Sequence, residues 1–560
     1  MNAQYRRSLV ILLTMIALML SLPGCTVEFD FFDDEFWEWL MEDESDAPYD
    51  DGHGNDWEDE PGEIPGDGAG GVPDSDPDST PDSDPAPVPP SPEPAPTPSP
   101  LSESVASGIE ITTIDAYQTI QTSLVRDGVP ISSDVPIIAG RETLFRVFVT
   151  PQQGWSNRPI TATVRLDDAY LGTSHTLEST KEISGPSSTH DRSTVFEFRV
   201  PGELITPDLN TAFRLVDGGQ NQVQMGMNSA ARWPRNGSSM ALHPDKSTGT
   251  LRVVLVPIRY DYDGSLRLPD TSPAQLKHYK DTLRALFPIH DLEMVVRQPV
   301  SWNRPMNWGE LTQSMRNLKL SDGDHQAFYY GLIQPAPSFA QFCSSTCVVG
   351  QAYLVSNASS TSYRAGVGLG FSGESWAWTL AHEIGHMLGR GHSSCGVAPS
   401  NQDSSYPYSN GVIGVWGWDS RTDMLFAPHA MNDFMGYCGN KWTSDYTYLA
   451  MMSRMQEVNN PQGGMWITQP APMAEWHHID WSPTKEPAWG PITTEQDPST
   501  GKWATARHLD SKGAVINQME VPYVQLAHED KRSVVLPKPP KEARRVKIFA
   551  PSKNFELELP

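Results

Sequence analysis

Apolar residues along this chain recur with different periods in successive blocks. From Ile109 to about Val216 they alternate with polar ones in short runs broken by Gly, Pro and Asp. Phe145, Val147 and Val149 take one face of a strand and Arg146 the other, and Phe196, Phe198 and Val200 repeat this around Glu197 and Arg199. Several such period-two runs in succession predict a β-sandwich, placed at 106–245. It is expected to space and stabilise its neighbour, with substrate or surface binding as the alternative. Leu251 to Val256, apolar except for Arg252, then leads to Pro257, close to what a strand buried on both faces requires. A helical stretch over Ala274 to Leu286, strands at Glu293 to Arg297 and Ala327 to Ile333, and a helix over Trp376 to Leu388 make the block 250–463 a mixed α/β domain. Ser444 or Asp445 caps a last helix running to about Val458, with Tyr448, Met452 and Met455 on its inner face. Beyond Gly463 short strands return, as at Ala514 to Ile516 and Val546 to Phe549, and predict a β domain over 464–560. The fold class expected is multidomain α+β, a mixed α/β body flanked by β-sandwich-like domains.

The amino-terminal hundred residues have no such pattern. Arg6 and Arg7, an apolar run from Leu9 to Leu20 and Leu22-Pro23-Gly24-Cys25 follow the order of a secretory signal. The run is short for a bilayer span, which needs about twenty residues. Gly24-Cys25 resembles a bacterial lipobox, which makes Cys25 the lipidated first residue of the mature chain. Pro23 departs from the small residue usual there, and an ordinary signal peptide is the alternative. Thr26 to Pro100 carries 24 acidic residues and no Lys or Arg, so of the formal charge of -28 only about -4 belongs to the remainder. Nucleic acid is therefore excluded as a partner of the body. Pro, Asp and Ser dominate from Pro61 to Pro100, a composition unable to bury enough apolar surface to fold, and 26–105 reads as a disordered stalk. Pro73-Asp74-Ser75-Asp76-Pro77 has the chemistry to hold Ca2+ weakly, but a solvated spacer is the much commoner explanation of such a repeat.

Five cysteines are present, and removing Cys25 leaves an even number in an exported chain. The simplest pairing is Cys343 with Cys347 and Cys395 with Cys438.

The chemistry is concentrated in His382-Glu383-Ile384-Gly385-His386-Met387-Leu388-Gly389-Arg390-Gly391-His392. On a helix His382 and His386 stand at i and i+4 on one face, where both imidazoles reach one metal. Gly389 lets the helix stop and the chain swing round, which returns His392 as third ligand. Three neutral nitrogens and one open position describe a catalytic zinc rather than a structural one. Glu383, beside the ligands, is placed to act as the base. From the chain's own composition a bare HExxH arises by chance in about two such sequences per hundred, and the full pattern in roughly one in twenty thousand. Trp476-His477-His478-Ile479-Asp480-Trp481 is a weaker metal candidate, because adjacent histidines on a strand point to opposite faces.

The eleven-residue pattern resembles the metzincin clan of zinc endopeptidases. Cys395-Gly396, Trp416-Gly417-Trp418-Asp419, Asp433-Phe434-Met435 and Ser444-Asp445-Tyr446 look like exported bacterial members related to the mucin-cleaving M66 peptidases, over roughly Leu251 to Val458. The resemblance implies that Met435 is the turn methionine under the histidines and that Tyr437 is an auxiliary group stabilising the oxyanion. It also implies a metzincin-like catalytic domain at 250–463, with a twisted sheet whose edge strand pairs with an extended substrate; Gln351 to Val355 is the candidate edge. The Cys395 to Cys438 pair would then tie the third histidine's loop to the methionine turn. Together these readings describe a zinc metalloendopeptidase acting on an extracellular or periplasmic protein or glycoprotein. Cys25 would anchor it as a lipoprotein, and Thr26 favours the outer membrane. The alternative is a surface adhesin or binding protein built on a protease scaffold.

Overall fold

The computed structural model describes residues 104–218, 222–224, 228–345, 347–459, 474–495, 502–528 and 531–560. The signal, Cys25 and stalk readings lie outside these residues. Ser104–Ala106 is already a strand, pairing with Gln222–Gln224, so the described strands begin two residues ahead of the expected start at 106.

Two antiparallel five-stranded sheets form the first part. One runs Val129–Pro130, Gln121–Arg126, Ile109–Tyr117, Thr143–Pro151, Phe196–Val200. The other has Leu209–Asp217 and Arg158–Asp168 at its centre. Their inner faces share a core that includes Ile111, Val147, Val164 and Leu215. Phe145 meets Phe213 across it, edge to face at 5.7 Å between ring centroids. Arg146 takes the opposite face, as the alternation predicts, but that face is covered too. Its side chain is fully buried on the other face, where Nε bonds Glu197 at 2.9 Å and the guanidinium lies over the rings of Phe148 and Tyr117. A planar cation paired and stacked in this way is tolerated where a bare charge is not.

The central sheet has six strands. Asp291–Val296, Thr250–Tyr260, Phe328–Ile333 and Ala365–Leu369 lie side by side in parallel, Val300–Trp302 also joins Thr250–Tyr260, and Gly350–Ala352 closes one edge antiparallel. Helices cover both faces, as a sheet buried on both sides requires. Gln351 hydrogen-bonds Thr312 of the helix Trp308–Asp322. A Cβ on its neighbour Gly350 would meet Thr379 and Glu383 of the helix Ser375–Met387. Consecutive strand residues point to opposite faces, so these two helices lie on opposite sides of the edge strand. The helix Asp445–Asn459 starts at Ser444, whose Oγ accepts the Thr447 N–H. Its inner face carries Tyr448, Met451, Met455 and Val458; Met451 takes the fully buried place expected of Met452, and that difference of one residue is a rotation of 100°.

The last part is one antiparallel seven-stranded sheet instead of a second two-sheet sandwich, ordered Lys485–Glu495, Ala474–Ser482, Arg532–Pro537, Val515–Gln525, Lys502–Leu509, Arg545–Phe549, Asn554–Glu558. It curls until its two ends touch, Trp489 Nε1 donating to the Glu558 carbonyl at 2.7 Å. Curling lets a single sheet enclose its own core, built from Ile479, Val521, Val534 and Ile548. Val524, Leu526 and Val535 belong instead to the core of the central body, so the two parts are packed together.

Candidate metal centre

The helix Ser375–Met387 is buried along most of its length, including Trp376, Ala377, Leu380, Ala381 and Ile384. It ends where Gly389 adopts φ +85°, the left-handed conformation that ordinary residues resist. The turn carries the chain back, and the structure brings His382, His386 and His392 together. The Nε2 atoms of His382 and His386 lie 3.1 Å apart, and those of His386 and His392 3.2 Å.

Each ring is held from behind by a backbone carbonyl. His382 Nδ1 lies 2.9 Å from the Phe434 oxygen, His386 Nδ1 2.7 Å from that of Arg390, and His392 Nδ1 3.4 Å from that of Asn401. A carbonyl only accepts, so each Nδ1 carries the proton and each Nε2 presents a lone pair. Burial pushes the pKa of His382 and His386 well below the usual imidazole range and that of His392 down to about 3. Three unprotonated acceptors packed this closely are unfavourable unless a cation lies between them. Tetrahedral zinc with bonds of about 2.0–2.1 Å would space its nitrogens about 3.3 Å apart, and the observed separations fit.

Glu383 is 1% exposed, and burial raises its carboxyl pKa. Its Oε2 is buried with no hydrogen-bond partner among the described residues. A carboxylate in that condition is poised to accept a proton. Met435 is buried in the same core as Ile384 and Met387. Its carbonyl accepts from Ser393, next to the third histidine, while its own N–H goes to Asp433 Oδ1 at 2.9 Å. Tyr437 is half exposed, and its hydroxyl lies 3.1 Å from His392 Nε2. The disulfide Cys395–Cys438 ties the loop after His392 to this turn, and Cys343 pairs with Cys347.

Sequence reasoning missed one member of the site. His528, from the tip between the last sheet's strands Val515–Gln525 and Arg532–Pro537, stands over the three histidines, its ring centroid 5.1 Å from each of theirs. One donor atom from each of the four lies within 4.8 Å of the others. Its Nε2 approaches Glu383 Oε1 to 2.8 Å, and its Nδ1 lies 2.7 Å from the Tyr437 hydroxyl. No motif spacing marks it in the sequence, since 91 residues separate it from Tyr437. The adjacent pair His477 and His478 is used structurally: His477 meets Glu475, and His478 meets Thr493 and Ser533.

The comparisons with known proteins point to a peptidase, a class of hydrolases. The family concerned is peptidase M66, whose model matches residues 352–455, the stretch that holds the three histidines, Glu383 and the turn from Met435 to Tyr437. Peptidases of that family are zinc-dependent. No curated protein matches the chain. Among solved structures, a calcium-binding mutant of Bacteroides uniformis beta-glucuronidase 2 aligns at 9% identity, covering 81% of this chain and 60% of that one. The TM-score of that alignment is 0.13.

Proposed function

We propose that the chain is a zinc-dependent endopeptidase of the metzincin type that cuts exported proteins or glycoproteins. The observation that carries this reading is the convergence of three Nδ1-anchored, neutral imidazoles beside a buried, partnerless carboxylate oxygen. Zinc, when bound by His382, His386 and His392, supplies Lewis acidity that acidifies water and polarises a carbonyl. Glu383 takes the proton from the attacking water as its oxygen bonds to the carbonyl carbon. When the C–N bond breaks, Glu383 returns that proton to the leaving nitrogen, and the products are a carboxylic acid and an amine, which ionise to carboxylate and ammonium. Tyr437, whose hydroxyl reaches the edge of the site, donates to the oxygen that gains charge.

Glu383→Gln in the full chain is expected to retain zinc and lose about 10^2–10^4-fold in turnover of a casein or mucin substrate. Hydrolysis at the parental rate by that variant would sink the mechanism. The adhesin reading separates in the same assay: a zinc-loaded chain that binds mucin yet never cuts it, with or without chelator, favours adhesion.

The order Arg6-Arg7, apolar run and Gly24-Cys25 supports export and lipidation at Cys25, with the acidic stalk holding the body off an outer membrane. Incorporation of labelled palmitate that persists in Cys25→Ala would overturn the anchor.

A further inference from the structure

The strand Gly350–Ala352 is the last in its sheet, and an open sheet edge is where an extended peptide adds by backbone pairing. In this molecule that edge is taken by the chain itself. Leu526 forms an antiparallel bridge with Tyr353; Ala527 N–H donates to the Ala352 carbonyl at 3.1 Å, and Leu354 N–H donates to the Gln525 carbonyl at 3.4 Å. Continuing the register sets residue 528 opposite Gln351, next to Gly350, whose added Cβ would lie 2.6 Å from Glu383 Oε1. That is where the bond to be cut would lie in a peptide running along this edge. His528 occupies it and takes both functional partners at once: Glu383 at 2.8 Å and, through its other nitrogen, the Tyr437 hydroxyl at 2.7 Å. The base, the auxiliary hydroxyl, the strand position and the face of the metal site left over by three ligands are all engaged by four consecutive residues.

We propose that residues 525–528 are a tethered occupant of the active centre, pairing as a substrate strand does and holding the His528 ring over the face of the metal site that the three histidines leave open, so that the intact chain is latent until this tip withdraws. The proposal rests on the peptidase reading and names its regulation. What the segment places beside Glu383 and Tyr437 is an imidazole. A tethered competitor acts at an effective concentration in the millimolar range, so an untethered substrate must displace it before it binds.

The test uses the full chain with Co2+ in place of zinc, and compares wild type with His528→Ala, which empties the metal face, and Ala527→Pro, which removes the N–H given to Ala352. Three properties are measured: the visible spectrum of the cobalt, the affinity for acetohydroxamate, and hydrolysis of casein by the zinc forms. The expected result is a change of cobalt spectrum in His528→Ala, at least tenfold tighter acetohydroxamate binding in both variants, and at least tenfold faster casein hydrolysis in both. Wild type that takes up acetohydroxamate as tightly as the variants would overturn the proposal. So would an unchanged spectrum in His528→Ala accompanied by a fall in kcat, because His528 would then serve turnover. Variants that open the metal to acetohydroxamate yet cut nothing would leave the occlusion standing and refute the peptidase reading instead.

Discussion

Gly350 shows how much of this site depends on an atom that is not there. A Cβ at that position would sit 2.6 Å from Glu383 Oε1 and 2.8 Å from Thr379 Cγ2, closer than packed atoms approach. The expected result for Gly350→Ala is a displaced carboxylate: at least a tenfold fall in kcat with zinc content unchanged, read by steady-state kinetics and metal analysis. Gly389→Ala fails differently. Its φ of +85° costs an L-residue about 1–2 kcal/mol, and its Cβ would lie 2.8 Å from the backbone oxygen of Val355. The swing that returns His392 would be strained, so zinc affinity falls along with stability, which competition against a chromogenic chelator would measure. Gly389 was legible because the motif's spacing demands a reversal there. Gly350 was not, because only the fold sets that strand against the helix.

Among the elements, the turn Asp433 to Tyr437 is held from both sides. The Asp433 carboxylate is fully buried and accepts the N–H of Met435 at 2.9 Å, the N–H of Ser444 at 3.0 Å and the Ser444 hydroxyl, joining the turn to the start of the helix Asp445–Asn459. Burial raises its carboxyl pKa against those three donors. Asp433→Ala leaves three donors unpaired and is expected to cost about 3 kcal/mol by denaturant titration. The Cys395–Cys438 bridge closes a loop of sequence separation 43, for which chain entropy gives about 4 kcal/mol; Cys395→Ala with Cys438→Ala should lower stability by up to that amount. The strongly periodic helices and apolar strands were readable from the chain. The helix Trp308–Asp322 was not, because its buried face mixes Leu311 and Met315 with Thr312, Arg316 and Lys319. Arg316 lies over the Tyr363 ring at 4.1 Å, and Lys319 Nζ donates to the Ala327 carbonyl at 2.6 Å, so charged residues occupy places where periodicity looks for apolar ones. Ala365–Leu369 was hidden too, since Gly366 and Gly368 weaken any strand signal.

Over the whole molecule, the first sandwich and the central body are joined by small apolar clusters, such as Tyr117 and Leu144 with Trp418, and by backbone acceptors meeting a few side chains. Arg141 donates to the Arg284 carbonyl at 2.7 Å and to Thr119 Oγ1 at 2.8 Å. Thr119 in turn donates to the Ala285 carbonyl at 2.7 Å, while its own carbonyl accepts from Trp442 Nε1 at 2.8 Å. Arg141→Ala is expected to split the calorimetric unfolding transition into two, with the sandwich melting apart from the body. Nothing in local sequence announces such joints, and His528 is the clearest case. The histidine motif is a local code written within eleven residues, whereas the residue that covers it arrives from the last sheet by tertiary packing alone.

The pairing of Gln525 to Ala527 with Ala352 to Leu354 bears also on how the molecule behaves in company. A sheet rim with its amides bare is a template on which a second copy can continue the ladder. The same contact that fills the centre thus shields that rim, and a chain with its tip swung out would be both armed and sticky. Dynamic light scattering of His528→Ala and Ala527→Pro at rising concentration should show association earlier than wild type, so the open form is suited to short bursts at low local density.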